Sequence, residues 1–217
     1  MKKLNIITAL IAVWTLATVN FGFANDNKYV ETMQKNIITV YTAQTIEELQ
    51  VVVNTFERIA SAEKTKWEPY YYASFGYIMM AVREKDGAKK DAFLDLSFTA
   101  MNKAKEIAPN ESEVITLEGF NYMIRLTVDP GSRGPQYSGL SMASFGKALA
   151  LNPENPRALS CMAQMQFGTA QFFGSSTNEA CATMTKSLEK FSTFKSDNPL
   201  APVWGKEMAE EMKKNCK

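Results

Sequence analysis

The chain has 217 residues with 24 basic and 23 acidic side chains, and it contains no histidine. That near-balance gives no electrostatic case for nucleic acid or an anionic membrane surface. The missing histidine removes the commonest general base and neutral metal ligand, and with it most serine and cysteine nucleophile mechanisms.

The N-terminus reads as a cleavable export signal. Lys2 and Lys3 form a positive start, the stretch from Leu4 to Val19 is mostly apolar, and Gly22-Phe23-Ala24 supplies small residues at −3 and −1 of a cleavage site. Cleavage after Ala24 leaves one domain, residues 25–217, in the periplasm or outside the cell. The charge count then becomes 22 basic against 23 acidic. No cysteine follows the apolar run to carry a lipid, and no second apolar span is present, so no membrane anchor is expected after cleavage.

Beyond the signal, apolar residues recur at three- and four-residue spacings, the mark of amphipathic helices. Tyr29, Met33, Ile37 and Val40 form a first stripe. Thr45 with Glu48 predicts a capping box, opening a helix with Leu49, Val52, Phe56 and Ile59 on one face. Further helices are predicted to start near Trp67, Asp91, Glu111, Tyr137, Asn155 and Asn178. A last one is predicted just after Pro199, with Pro202 tolerated in its first turn. The segments Thr127–Gly139 and Phe172–Ser176, rich in Gly, Pro and Ser, are predicted loops on one edge of the molecule.

An internal repeat anchors the reading. Pro109 and Pro153 stand 44 residues apart. Before each lie an alanine (Ala104, Ala148), a large apolar residue (Met101, Phe145) and a serine (Ser97, Ser141). After each come an aliphatic residue (Ile115, Leu159) and a small one (Gly119, Ala163). A small residue lets antiparallel helices approach, a large one fills the gap, and proline ends the second helix of a pair. Each pair then exposes an apolar face that only its neighbour can cover.

These positions resemble the tetratricopeptide-repeat (TPR) consensus, with Ile115, Gly119 and Tyr122 on a first helix and Ser97, Met101, Ala104 and Pro109 on a second. Tyr72, Phe75 and Gly76 fit an earlier first helix, and Ala180, Met184 and Ser187 a later second one. The period is longer than the roughly 34 residues of that family, and Gln166 stands where its tyrosine is expected. The resemblance implies an all-α, right-handed stack of antiparallel pairs, about nine helices, with a C-terminal capping helix in which Trp204, Met208 and Met212 close the stack.

It also implies a concave partner-binding groove lined by first-helix residues. Those are Tyr70, Ala73, Tyr77 and Met80; Glu113, Thr116, Phe120 and Met123; and Arg157, Ser160, Gln164 and Phe167. The expected function is an exported scaffold holding a protein or peptide there. The alternative is a small-molecule binder for a sugar, lipid or carboxylate, using the Trp67–Tyr77 aromatic cluster and a loop carrying Arg133 and Tyr137. Catalysis is not expected: there is no metal-ligand spacing, nucleotide loop or nucleophile elbow, and no cofactor is implied. Glu47/Glu48, Glu111/Glu113 and Glu207/Glu210/Glu211 read as helix-start or solvated acids.

Of the cysteines, Cys181 lies near the start of one helix and Cys216 near the end of the next. A turn near Asp197 would bring them to similar height, which predicts a Cys181–Cys216 disulfide and leaves Cys161 as a buried packing residue.

Overall fold

The computed structural model describes residues 26–216; the expected signal segment lies outside the described residues. Among the described residues nine helices follow one another: α1 (26–42), α2 (Ile46–Ala62), α3 (Glu68–Arg83), α4 (Gly87–Ile107), α5 (Ser112–Leu126), α6 (Pro130–Leu151), α7 (Pro156–Phe173), α8 (Asn178–Thr193) and α9 (Lys206–Lys213). No strand occurs among the described residues. Successive helices pack as antiparallel pairs, and α5 also touches both α3 and α7, which makes these three the inner row of a TPR-like stack.

The repeat positions have the roles expected of them. A Cβ placed on Gly119 would lie 2.5 Å from the Phe145 ring, so glycine is what lets α6 seat its large residue against α5. Gly76 is closed in the same way by Val53, at 2.4 Å. The serines Ser97, Ser141 and Ser187 are buried where the second helices meet their partners. Ser141 donates to the Gly119 carbonyl and Ser187 to that of Pro156, both at 2.8 Å, while Ser97 is bonded to Ser74 and Asn121. Pro109 and Pro153 each sit just past a helix end, two residues before the next N-cap, Glu111 or Asn155.

The Thr45–Glu48 capping box is present. Helix α4 starts at Gly87 rather than near Asp91, because Asp86 accepts from the Lys89 N–H and caps it.

The segment expected to be a loop over Thr127–Gly139 is mostly helix. Asp129 accepts from the Ser132 N–H, Pro130 takes the first helical position, and α6 runs on through Pro135. Proline at the first position is pre-organised for a helix, and Arg133 in the second turn is tied to Asp91 of α4 at 2.7 Å. Capping and a tertiary ion pair thus override the low propensity of this Gly/Pro-rich stretch. Phe172 and Phe173 likewise belong to the last turn of α7, which Gly174 ends at φ 65°.

The last helix differs most from expectation. Residues 194–205 form an extended strap, Pro202 lies within it, and α9 starts only at Lys206. The Cys181–Cys216 disulfide is present, with Cα atoms 5.6 Å apart, and Cys161 is buried. Met212 and Ala209 pack on Ala163 and Met184 to close the end of the stack. Trp204 does not, for the strap carries it elsewhere.

Candidate functional site

Two surfaces compete for a functional role, the concave face and an apolar cleft beside α7. The concave face is occupied by the chain itself. The strap leaves α8 with Phe194 lying 4.5 Å over the Arg157 guanidinium of α7. It crosses to α3, where Asn198 donates to Glu68 (3.1 Å) and the Tyr72 hydroxyl donates to the Leu200 carbonyl (2.7 Å). It reaches α1 where the Val203 N–H meets the Tyr41 hydroxyl, then sets Trp204 between Phe75 and Phe120, ring centroids 5.4 and 5.2 Å away. The indole N–H donates to the Tyr71 hydroxyl at 2.8 Å. Gly205 turns the chain at φ 103°, against Phe191 and Arg157, where a side chain would be strained and crowded.

Beneath the strap, Arg157 and Glu113 form a buried two-pronged ion pair, with Nε and Nη2 each 2.8 Å from a carboxylate oxygen. Burial works against the Arg157 charge, but Glu113 outweighs it and raises the guanidinium above its ordinary value. Burial also raises the Tyr71 and Tyr72 hydroxyls well above theirs, and Tyr41 to about 12. These phenols stay protonated and act as hydrogen-bonding groups.

The residues expected to line a partner groove therefore separate. Glu113, Phe120 and Arg157 face the concave side but are covered by the strap; Glu113 is the helix-start acid expected, in the first turn of α5, but it is buried rather than solvated. Tyr70 and Tyr77 turn to α2 instead, donating to the Ala60 carbonyl and the Glu57 carboxylate. Ala73, Met80, Thr116 and Ser160 are buried. Met123 packs partly buried on the core, and Phe167 is half-buried. Gln164 bonds Ser160 and lines the cleft described next. The small-molecule site expected from the aromatic cluster plus Arg133 does not form, because Arg133 is neutralised by Asp91. That pair holds the Asp91 carboxyl below its usual range, first through the hydrogen bond and then through the charge. Tyr137 lies in a shallow hollow with Phe98 and Tyr122.

The second surface was not anticipated. The end of α5, the first turns of α6 and the C-terminal half of α7 enclose an apolar cleft of about 340 Å³. One wall is Pro130, Gly131, Gly134 and Pro135 of α6. The other is Met165, Gly168 and the two phenylalanines of α7. A Cβ on Gly134 or Gly168 would meet nothing within 4 Å, so these glycines leave open space. Phe172 and Phe173 stand at the lip, 77% and 74% exposed, their rings edge to face at 5.1 Å. The sequence held a signal for this site in the Phe-Phe pair next to Gly-Ser-Ser and the clustered Gly and Pro near residue 130. Read as loop punctuation, both lost their meaning as surfaces. Among the described residues no cluster of acidic or cysteine side chains is arranged to hold a metal ion, and no helix is long and apolar enough to cross a membrane.

The geometry defines a TPR-like helical-repeat protein with a self-filled concave face and an open apolar cleft. Among solved structures, the chain is similar to the HusA haemophore from Porphyromonas gingivalis. They share 26% identity and a TM-score of 0.78 over 87% of this chain and 92% of that one. It is also similar in fold to a thermophilic TPR protein of Thermus thermophilus, with 16% identity and a TM-score of 0.54 over 84% of this chain and 92% of that one. No family model and no curated protein matches the chain.

Proposed function

We propose that this protein is an exported, non-catalytic carrier that binds a flat, largely apolar small molecule in the α5–α6–α7 cleft, with haem as the first ligand to test. The observation that carries the reading is the exposed Phe172–Phe173 pair on the lip of a cleft walled by glycine and proline. Covering a phenylalanine is worth about 1.5–3 kcal/mol, and a planar ligand laid across the lip would cover both. The similarity to a haemophore across most of both chains supports haem as the candidate. Export is supported by the Cys181–Cys216 bridge, since disulfides persist in oxidising compartments.

With no histidine in the chain, a haem would be held by burial and stacking. The Met165 thioether is the one sulfur on the cleft wall. Metal-free protoporphyrin should therefore bind within about tenfold of haem, a difference of about 1.4 kcal/mol.

The test is an absorbance titration of haem into the chain lacking residues 1–24. Saturable binding is expected, weakened at least about tenfold by Phe172→Ala with Phe173→Ala and blocked by Gly168→Leu, with the fold retained and the melting point not lowered. Wild-type and double-variant titrations that coincide would overturn the reading. A protein partner in the concave groove is the weaker alternative, because it must first displace Trp204 and the strap. Affinity capture that succeeds with a chain ending at residue 193 and fails with the whole chain would favour it.

A further inference from the structure

Helices α4 and α6 both pack on α5 but not on each other, so a groove runs between them with α5 as its floor. The Asp91–Arg133 pair crosses this groove, and beside it Arg125 of α5 reaches Asp95 of α4 at 2.7 Å. Further along lies a hollow of about 320 Å³ that shares no lining residue with the α5–α6–α7 cleft. We propose that this hollow is a separate binding site for a neutral sugar, one unit of a hexose oligosaccharide.

Its apolar part is three half-buried rings, one from each helix: Phe98 of α4, Tyr122 of α5 and Tyr137 of α6. Tyr122 lies in the middle, its centroid 5.6 Å from Phe98 and 6.1 Å from Tyr137, with the planes inclined at 51° and 31°. At those separations the rings touch one another, and no flat ligand can slide between them. They form one curved patch. A pyranose ring suits such a patch, because each of its carbon-bound hydrogens sits on an oxygen-bearing carbon or next to one. Those hydrogens carry slight positive charge, which the negative face of an aromatic ring attracts.

Polar side chains complete the hollow. Asp95, Phe98, Thr99 and Asn102 stand at i, i+3, i+4 and i+7 of α4 and so share one face of that helix. Asp95 accepts from Arg125 through one carboxylate oxygen, and its side chain is 72% exposed. Among the described residues the Asn102 amide and the Tyr122 and Tyr137 hydroxyls make no hydrogen bond. Burial, and after it the Glu118 charge, raises the Tyr122 hydroxyl above its ordinary value. It stays protonated and can both donate and accept. An amide and a carboxylate each offer two polar atoms side by side, an arrangement that can engage neighbouring hydroxyls on a sugar ring.

Charge argues against other ligands. Arg125 is paired with Asp91 and Asp95, Arg133 with Asp91, and Lys105 with Glu118 nearby. An anion or a cation would meet charges that are already matched. A wholly apolar molecule would cover the free amide and hydroxyls and take away their water without replacing it. A neutral ring with C–H faces and a rim of hydroxyls answers both the aromatic patch and the free polar groups.

The experiment is isothermal titration of the chain lacking residues 1–24 with maltohexaose, cellohexaose and mannohexaose, with phenol as a planar aromatic control. Saturable binding of at least one oligosaccharide below about 10 mM is expected, at least about tenfold tighter than phenol. Tyr137→Ala should weaken it at least about tenfold. Asn102→Ala, at an exposed position where the fold is kept, should weaken it at least about threefold. Because the ligand is neutral, raising sodium chloride from about 50 to about 500 mM should change the affinity less than about twofold. Gly168→Leu, which fills the other cleft, should leave sugar binding unchanged, so the two sites stand or fall separately. The proposal is overturned if no oligosaccharide saturates, if phenol binds as tightly, if Asn102→Ala has no effect, or if salt abolishes binding.

Discussion

Replacing Trp204 tests whether the strap is part of the core or a cover that lifts off easily. The indole is 7% exposed, lies between Phe75 and Phe120, and gives its N–H to Tyr71, whose side chain is fully buried. Trp204→Ala removes the rings' shared contact and opens a cavity, a loss of about 3–5 kcal/mol where the site cannot collapse. Trp204→Phe keeps most of the packing but strands the Tyr71 hydroxyl, for about 1–3 kcal/mol. Tyr71→Phe strands the indole N–H by a similar amount. Because both single changes break one bond, the double variant should be less destabilised than their sum, by about 0.5 kcal/mol or more.

Urea unfolding followed by far-ultraviolet circular dichroism gives these differences without relying on tryptophan emission. Trypsin supplies the local readout: Lys195 is exposed at the start of the strap, and cleavage there should accelerate in Trp204→Ala. A cost below about 1 kcal/mol, with cleavage unchanged, would refute the reasoning. It would mean the strap's contacts add little to stability.

Other predictions follow from packing and charge. Gly168→Ala, into open space, should raise stability by about 0.5–1 kcal/mol through helix propensity. Gly119→Ala, whose Cβ would meet the Phe145 ring at 2.5 Å, should lower it by about 1–3 kcal/mol. Urea midpoints of the two variants decide both. Asp91 has its carboxyl pKa held below the ordinary 3.8 by Arg133, first through the hydrogen bond and then through charge, with Arg125 adding to it. Its contribution is therefore present above the unfolded value and lost as the pH falls through the lower, folded one. Asp91→Asn should flatten that acid-side part of the stability profile and leave its shape above about pH 5 unchanged.

Helix ends with strong local chemistry were legible in the sequence: the Thr45–Glu48 box and the turns after Pro109 and Pro153 depend only on residues a few positions apart. So was the disulfide, although a tight turn was expected near Asp197 and an extended strap over residues 194–205 is found there. The start of α6 was not legible. Glycine and proline there signal a loop locally, and the helix depends on the Arg133–Asp91 pair, whose members are 42 residues apart in sequence.

Composition and periodicity by themselves determined that this is a helical repeat whose second helices seat serines and large residues against small ones, because those are interactions of neighbours along the chain. Which surface is left for a ligand was decided only by tertiary structure. Residues 194–205 return across more than a hundred positions of sequence to bury Trp204 among Tyr71, Phe75 and Phe120. Nothing in the spacing of those aromatics says whether a partner or the chain itself covers them. The same return leaves Phe172 and Phe173 uncovered, since no segment of the described chain reaches the cleft they border.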